Sequence, residues 1–175
     1  MVKIAIIGKM CSGKTTITDY LITLNSQFKK LSFADKVKEI AIDLFEMTKK
    51  DRYLLQSIGT KMREIKSTVW ADYTVKQSQN YQFVLIDDLR YQNEFKCLKQ
   101  ENFKFIKLNI SSELQIERLK KTYPDSWESH IENLQHQSET EIDTLNNDLF
   151  DLVIDVDKDE QQIFTMIDKF FKNLI

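Results

Sequence analysis

The chain has 175 residues, 42% hydrophobic and 30% charged, with a formal net charge of −2. That balance suits a globular domain with its own core. It gives no overall attraction for nucleic acid or a membrane surface. No run of about 18 apolar residues marks a transmembrane helix. Two cysteines, Cys11 and Cys97, are too few for a disulfide framework, so a reducing, cytoplasmic location is expected.

Val2 to Ile7 is a short apolar, β-branched run and predicts a buried strand. Gly8-Lys9-Met10-Cys11-Ser12-Gly13-Lys14-Thr15 follows and fits G-x-x-x-x-G-K-[ST], the phosphate-cradling P-loop. Thr15 to Leu24 then carries Ile17, Leu21, Ile22 and Leu24 at helical spacing. The motif therefore joins a strand to a helix, as its chemistry requires. Successive backbone N–H groups make an anion nest, and the helix N-terminus adds unpaired donors. Lys14 can reach the β- and γ-phosphates, and the Thr15 hydroxyl can ligate Mg²⁺. Two of the chain's three glycines lie in this loop. Cys11 reads as a loop side chain without a redox role.

Phe28 to Phe33 predicts a short strand, and Ala34 to Phe45 a helix with Val37, Ile40, Ala41, Leu44 and Phe45 on one stripe. Asp51 to Lys66 is a second amphipathic stretch. Gly59 interrupts it at about 1 kcal/mol relative to alanine, which suggests close packing or a break. Thr68 to Gln79 predicts a short helix containing Trp70. Tyr81 to Asp88 is a strand ending in Asp87-Asp88, the way a Walker B carboxylate is presented beside a P-loop. Helix 91–101, strand 103–110 and helix 113–121 follow. The polar stretch Tyr123 to Gln137 holds the sole proline, Trp127, His130 and His136. A last strand, 149–156, leads into an amphipathic helix, 158–174.

Strands alternating with helices predict an α/β, three-layer P-loop fold around a five-stranded parallel sheet. Ligands in such sheets bind at the carboxyl ends of the strands. That edge would collect the P-loop, Phe33 to Lys38, Asp87 to Arg90, Asn109 to Ser112 and Asp155 to Lys158.

No Asp-x-x-Gly follows the Asp87 strand and no Asn-Lys-x-Asp occurs, which removes a GTPase switch. A small-molecule kinase wants a second anion zone and a basic lid. Arg63 and Arg90 can supply the first. Arg118, Lys120 and Lys121 head a polar insertion where a lid would lie.

Most of the chain, in matching order, resembles the phage-type deoxynucleoside monophosphate kinases of the adenylate-kinase-like branch. Ser12 to Thr16, with Asp19-Tyr20-Leu21, is similar to that family's P-loop and first helix. Ser32-Phe33-Ala34-Asp35, continuing to Lys38-Glu39, resembles its "SFADPLKE" segment. Leu55-Gln56, Gly59-Thr60, Arg63 and Trp70 resemble "LLQxLGTxxxR…W". Asp88-Leu89-Arg90-Tyr91-Gln92-Asn93-Glu94 resembles "DxRxxNE", and His136-Gln137-Ser138-Glu139 resembles an "HxSE" element.

The resemblance implies transfer of the γ-phosphoryl group of ATP to a deoxynucleoside 5′-monophosphate, one domain over 1–175, and a homodimer. It implies an acceptor region over about 33–80 and a lid over about 118–137. Gly8, Lys9, Met10, Cys11, Ser12, Gly13, Lys14, Thr15, Thr16 and Arg118 would bind ATP. Thr15 with Asp87 or Asp88 would hold Mg²⁺. Lys14, Asp88, Arg90 and Arg118 would carry the catalysis. Phe33, Asp35, Lys38, Gln56, Arg63, Trp70, Asp88, Arg90 and Glu139 would receive the acceptor. The family often has Asp where this chain has Thr15, and proline where it has Lys36. Blander readings stand beside these: Arg90 paired with Asp88 or Glu94, Trp70 in the core, and Asp87 or Asp88 as a helix cap. His130 and His136 lack companion cysteines at metal spacing. Two alternatives remain open, a kinase of another phosphorylated acceptor (phosphomevalonate or dephospho-coenzyme A) and a nucleotide-binding module without turnover.

Overall fold

The computed structural model describes residues 1–132, 134 and 140–175. Strand β1 (Val2–Gly8) is buried along its length up to Gly8. Such a strand must be central, and it is paired in parallel on both sides, with β3 (Phe83–Ile86) and β4 (Lys104–Asn109). The outer strands are β2 (Lys29–Leu31) and β5 (Leu152–Asp155), giving the order β2-β3-β1-β4-β5. All the pairings are parallel. A parallel sheet needs cover on both faces, and alternation along the strands assigns each side chain to one of them.

On one face Ile4, Ile6, Leu85, Ile106 and Ile154 meet α1 (Lys14–Leu24), through Ile17 and Leu21. The closing helix α8 (Glu160–Lys172) adds Ile163, Ile167 and Phe171 to this face. Tyr20 of α1 stacks on Phe164 of α8 with ring centroids 4.0 Å apart. On the other face Ala5, Ile7, Val84, Ile86 and Phe105 lie under α2 (Phe33–Phe45), α3 (Arg52–Ile65), α4 (Val69–Ser78) and α5 (Gln92–Gln100). After β4 come α6 (Ser112–Thr122) and α7 (Trp127–Glu132), then two 3₁₀ turns, Glu141–Thr144 and Asn147–Leu149.

Local chemistry sets the boundaries. The Ser32 hydroxyl accepts from the Ala34 N–H at 3.1 Å, Asp51 from Leu54 N–H at 3.0 Å, and Asp159 from Gln161 N–H at 3.1 Å. Each satisfies a donor that the first helical turn leaves unpaired. Gly59 does not break α3. It is buried where α4 crosses, and the Trp70 indole N–H donates to the Gly59 carbonyl at 3.1 Å. Among the described residues of the polar stretch after Tyr123, Trp127–Glu132 forms a helix, α7, that periodicity did not reveal. Among the described residues, no helix is long and apolar enough to cross a membrane.

Phe105 is 1% exposed and its ring lies 4.3 Å from that of Phe95. Truncating a buried aromatic leaves a cavity as well as losing transfer free energy. Phe105→Ala is expected to cost about 3–5 kcal/mol, read by urea denaturation.

Candidate functional site

The loop after β1 is built around two glycines for two different reasons. A Cβ on Gly8 would sit 2.5 Å from the Ser12 hydroxyl and 3.0 Å from both the Cβ and the carbonyl oxygen of Leu108. Gly13 has φ +92°, the left-handed region that L side chains rarely adopt. Cys11 also has positive φ, 62°. These positive-φ residues turn the loop into a concave backbone cradle that ends at the N-terminus of α1. A cradle of that kind favours an anion.

Lys14 folds back over the cradle. Its ammonium donates to the Gly8 carbonyl at 2.6 Å and to the Lys9 carbonyl at 2.8 Å. The loop is braced from α6: Gln115 donates to the Met10 carbonyl at 2.9 Å. Arg118 donates to the Cys11 carbonyl at 3.2 Å and to the Val156 carbonyl, just past β5, at 3.3 Å. Arg118, Tyr123, Val156, Lys158 and Phe164 join the loop in lining a cavity of about 600 Å³.

A second cleft, of about 510 Å³, lies on the other side of Lys14 and Thr15. Its remaining walls are Lys30, Ser32, Asp35, Lys38 and Asp87. The two spaces share Lys14 and Thr15. Lys38 and Asp35 are paired at 3.2 Å on α2.

The neighbouring aspartates at the end of β3 have separate partners. Asp87 lines the second cleft, and its Oδ2 accepts from the Lys30 ammonium at 2.5 Å. The same oxygen lies 3.3 Å from the Thr18 hydroxyl, whose proton also faces the Lys14 carbonyl at 2.9 Å. Asp88 turns toward the start of α2. It accepts from the Ser32 hydroxyl at 2.5 Å and from the N–H groups of Phe33 and Ala34, each at 3.1 Å. Burial pushes the Asp88 carboxyl above its ordinary range, against the pull of those three donors.

Beyond them, Glu94 is 3% exposed and accepts from the backbone N–H groups of Arg90 at 3.0 Å and Tyr91 at 3.1 Å. Arg63 reaches it at 3.6 Å, and the Arg63 guanidinium lies over the Tyr91 ring at 4.6 Å. Arg63 and Glu94, distant in sequence, thus meet at the loop after β3, where Arg90 contributes its backbone N–H. Burial raises the Glu94 carboxyl to about 7.

Phe33 is 4% and Trp70 3% exposed, so both rings sit within the helical core. Gln56 is exposed on α3. On α6 and α7, Lys120 lies over the Trp127 ring at 4.6 Å, and the Tyr123 and His130 rings are 4.3 Å apart. His136, Ser138 and Glu139 lie outside the described residues. Sequence reasoning missed Lys30, Thr18 and Gln115. A lysine on a three-residue strand reads as solvated, and nothing in its neighbours signals the carboxylate it meets.

No protein-family model and no curated protein matches this chain. Solved structures do share its fold. A sugar kinase from Janibacter sp. HTCC2649 superposes with a TM-score of 0.60 at 16% identity, over 98% of this chain and 95% of that one. A shikimate kinase from Aquifex aeolicus gives 0.56 at 17%, over 98% and 97%. A gluconokinase from Sinorhizobium meliloti gives 0.60 at 14%, over 99% and 93%. What is shared is the fold, a five-stranded all-parallel sheet between helices.

Two outcomes follow from this geometry. Gly8→Ala has no room for its methyl group unless Ser12 and Leu108 move. Nucleotide binding, measured by calorimetry, is expected to fall about tenfold or more, because the loop amides no longer converge. The Glu94 carboxyl, at about 7 when folded against 4.5 ordinarily, ionises first in the unfolded chain. Its contribution to stability therefore declines as pH rises from about 4.5 through about 7, at up to about 1.4 kcal/mol per pH unit. Glu94→Gln should remove that slope, as read from urea melts across the window.

Proposed function

We propose that this protein transfers the γ-phosphoryl group of ATP to a deoxynucleoside 5′-monophosphate. The observation that carries the reading is the pair of clefts meeting at Lys14 and Thr15. One is floored by the P-loop and suits a donor nucleotide. The other is lined by Lys14, Lys30 and Lys38 and suits an anionic acceptor. A phosphoryl group passing between them would cross at the shared residues. The kinase fold supports the reaction class, and the Asp88-to-Glu94 segment supports the nucleotide acceptor.

Phosphoryl transfer asks a protein for positioning and charge neutralisation rather than covalent chemistry. The loop amides and Lys14 would hold the β- and γ-phosphates. The Lys14 ammonium is held at that loop by the Gly8 and Lys9 carbonyls, which supports this role. Arg118 would steady the loop while lining the donor cavity. Arg90 and Arg63 would grip the acceptor phosphate, since a planar guanidinium binds phosphate bidentately. Asp88 would act through α2, fixing its first turn so that Asp35 and Lys38 face the cleft. The α6–α7 segment would close over the reacting groups and exclude water.

The donors present fit Mg²⁺. The Thr15 hydroxyl and the Asp87 carboxylate are hard oxygens on one cleft. Mg²⁺ at nucleotide sites commonly takes one or two protein oxygens and fills its octahedron with water and phosphate. When bound, it would neutralise phosphate charge at the transfer point. Asp87 is better placed for it than Asp88, whose oxygens cap α2.

Release of ADP by a coupled assay, with a panel of deoxynucleoside monophosphates, tests the reading. Turnover only with dephospho-coenzyme A or phosphomevalonate would move the acceptor class. ATP binding with no acceptor-dependent turnover would leave a binding module. Lys14→Ala is expected to lower kcat by about a hundredfold or more with the melting temperature little changed. Near-full activity in that variant would remove the P-loop from the mechanism.

A further inference from the structure

The second cleft contains an ion pair between Lys30 and the carboxylate proposed for the metal, Asp87. Lys30, on the short outer strand β2, places its ammonium 2.5 Å from Asp87 Oδ2. β2 pairs with β3 in parallel, with Leu31 opposite Ile86, so the two chains end side by side at the cleft. The Lys30 side chain is 42% exposed and that of Asp87 only 10%. The ammonium is thus the solvent-facing member of the pair and the carboxylate the enclosed one. Lys14, Lys30, Lys38, Asp35 and Asp87 are the charged groups around this space. Asp35 is already held by Lys38 at 3.2 Å, and the Lys14 ammonium lies on loop carbonyls. Asp87 is the carboxylate that Lys30 meets.

We propose that Lys30 is a positioning residue that stands in for the divalent cation: it holds and neutralises Asp87 before nucleotide arrives, and yields that carboxylate to the metal. The inference rests on the kinase reading for the identity of the metal site. Three physical points support it. A buried-side carboxylate beside a phosphate cradle needs a counter-charge when the site is empty of ligand, and an ammonium from a half-exposed stem supplies one. An ion pair with one partner in water is weak, so a divalent ion arriving with its nucleotide can displace it. A flexible four-carbon stem lets the ammonium withdraw without moving the strand, whereas Asp87 is fixed by the end of β3. Lys30 and the metal are then competitors for one oxygen, and competition is reciprocal in free energy. Removing the ammonium should tighten the metal and leave metal-free nucleotide alone.

The test uses the full chain and Mn²⁺ as probe, followed by paramagnetic resonance of free Mn²⁺ in the presence of ADP. No acceptor and no turnover are needed. Lys30→Met is expected to bind Mn²⁺ with ADP about fivefold or more tightly than the wild type, a modest coupling by the usual range. Metal-free ADP, measured by calorimetry, should bind both proteins within about twofold. Lys30→Arg keeps the charge and should keep the wild-type Mn²⁺ affinity. Lys29→Met, which removes a lysine stacked toward Tyr81 on the same strand, should also leave it unchanged. Equal or weaker Mn²⁺ binding in Lys30→Met overturns the proposal, as does equal tightening in Lys29→Met, which would reduce the effect to net charge. Either of those results leaves the kinase reading standing. Failure of the wild type to bind ADP with Mn²⁺ would overturn both.

Discussion

Asp88 ties the two halves of the site together. Its carboxylate accepts from the Ser32 hydroxyl and from the Phe33 and Ala34 N–H groups. A negative charge on those amides is favoured by the dipole of α2 as well as by the bonds themselves. The consequence is geometric. The end of β3, one strand away from the P-loop, is locked to the first turn of the helix that walls the second cleft. Asp35 and Lys38 on α2 and Asp87, just past β3, are therefore held at fixed positions relative to Lys14 and Thr15. Burial opposes keeping this carboxylate charged. Several donors around it are the physical condition for its staying there.

The division of labour between Asp87 and Asp88 follows from strand geometry. Adjacent residues leaving a strand point to opposite sides. One of two consecutive aspartates can face the cleft while the other faces the helix, and a single aspartate could not do both. The sequence shows the doublet, and it shows an apolar strand before it. It cannot show which member takes which side, because that depends on where α2 begins relative to the end of β3. The same limit applies to Trp70. Its place in a helix with aromatic neighbours is readable, but its burial against Gly59 depends on how α3 and α4 cross.

What was legible is the part governed by local rules. The β-branched run before Gly8, the glycine spacing, and the apolar stripes of α1, α2, α3 and α8 each declare their element by period alone. The alternation of strand and helix then leaves a parallel sheet as the economical solution. Its carboxyl edge was expected to gather the P-loop, Phe33 to Lys38, Asp87 to Arg90, Asn109 to Ser112 and Asp155 to Lys158; Asp35, Lys38 and Asp87 line one cleft beside Lys14 and Thr15, and Val156 and Lys158 line the cavity on the loop. What was not legible depends on side chains far apart in sequence. Lys30 and Asp87 are joined by β2 lying beside β3, a pairing of two short segments that no local pattern encodes. Glu94 reads as a helix-start acid, while its raised carboxyl comes from burial, against the opposing pull of Arg63 and of the Arg90 and Tyr91 N–H groups.

The bracing of the P-loop shows why its cradle can persist without a ligand. Backbone at positive φ in Cys11 is costly for a side-chain-bearing residue. The carbonyls that such a loop exposes would also be unsatisfied if nothing met them. Here Lys14 takes those of Gly8 and Lys9, Gln115 takes Met10, and Arg118 takes Cys11. The carbonyls of Gly8, Lys9, Met10 and Cys11 are thereby satisfied by side-chain donors. The same contacts connect α6 to the P-loop, and Arg118 extends the connection to Val156 beyond β5. Lys14 and Arg118 thus stand as cations at the cradle. Electrostatic stabilisation is most effective when the charges are in position before the reacting group arrives.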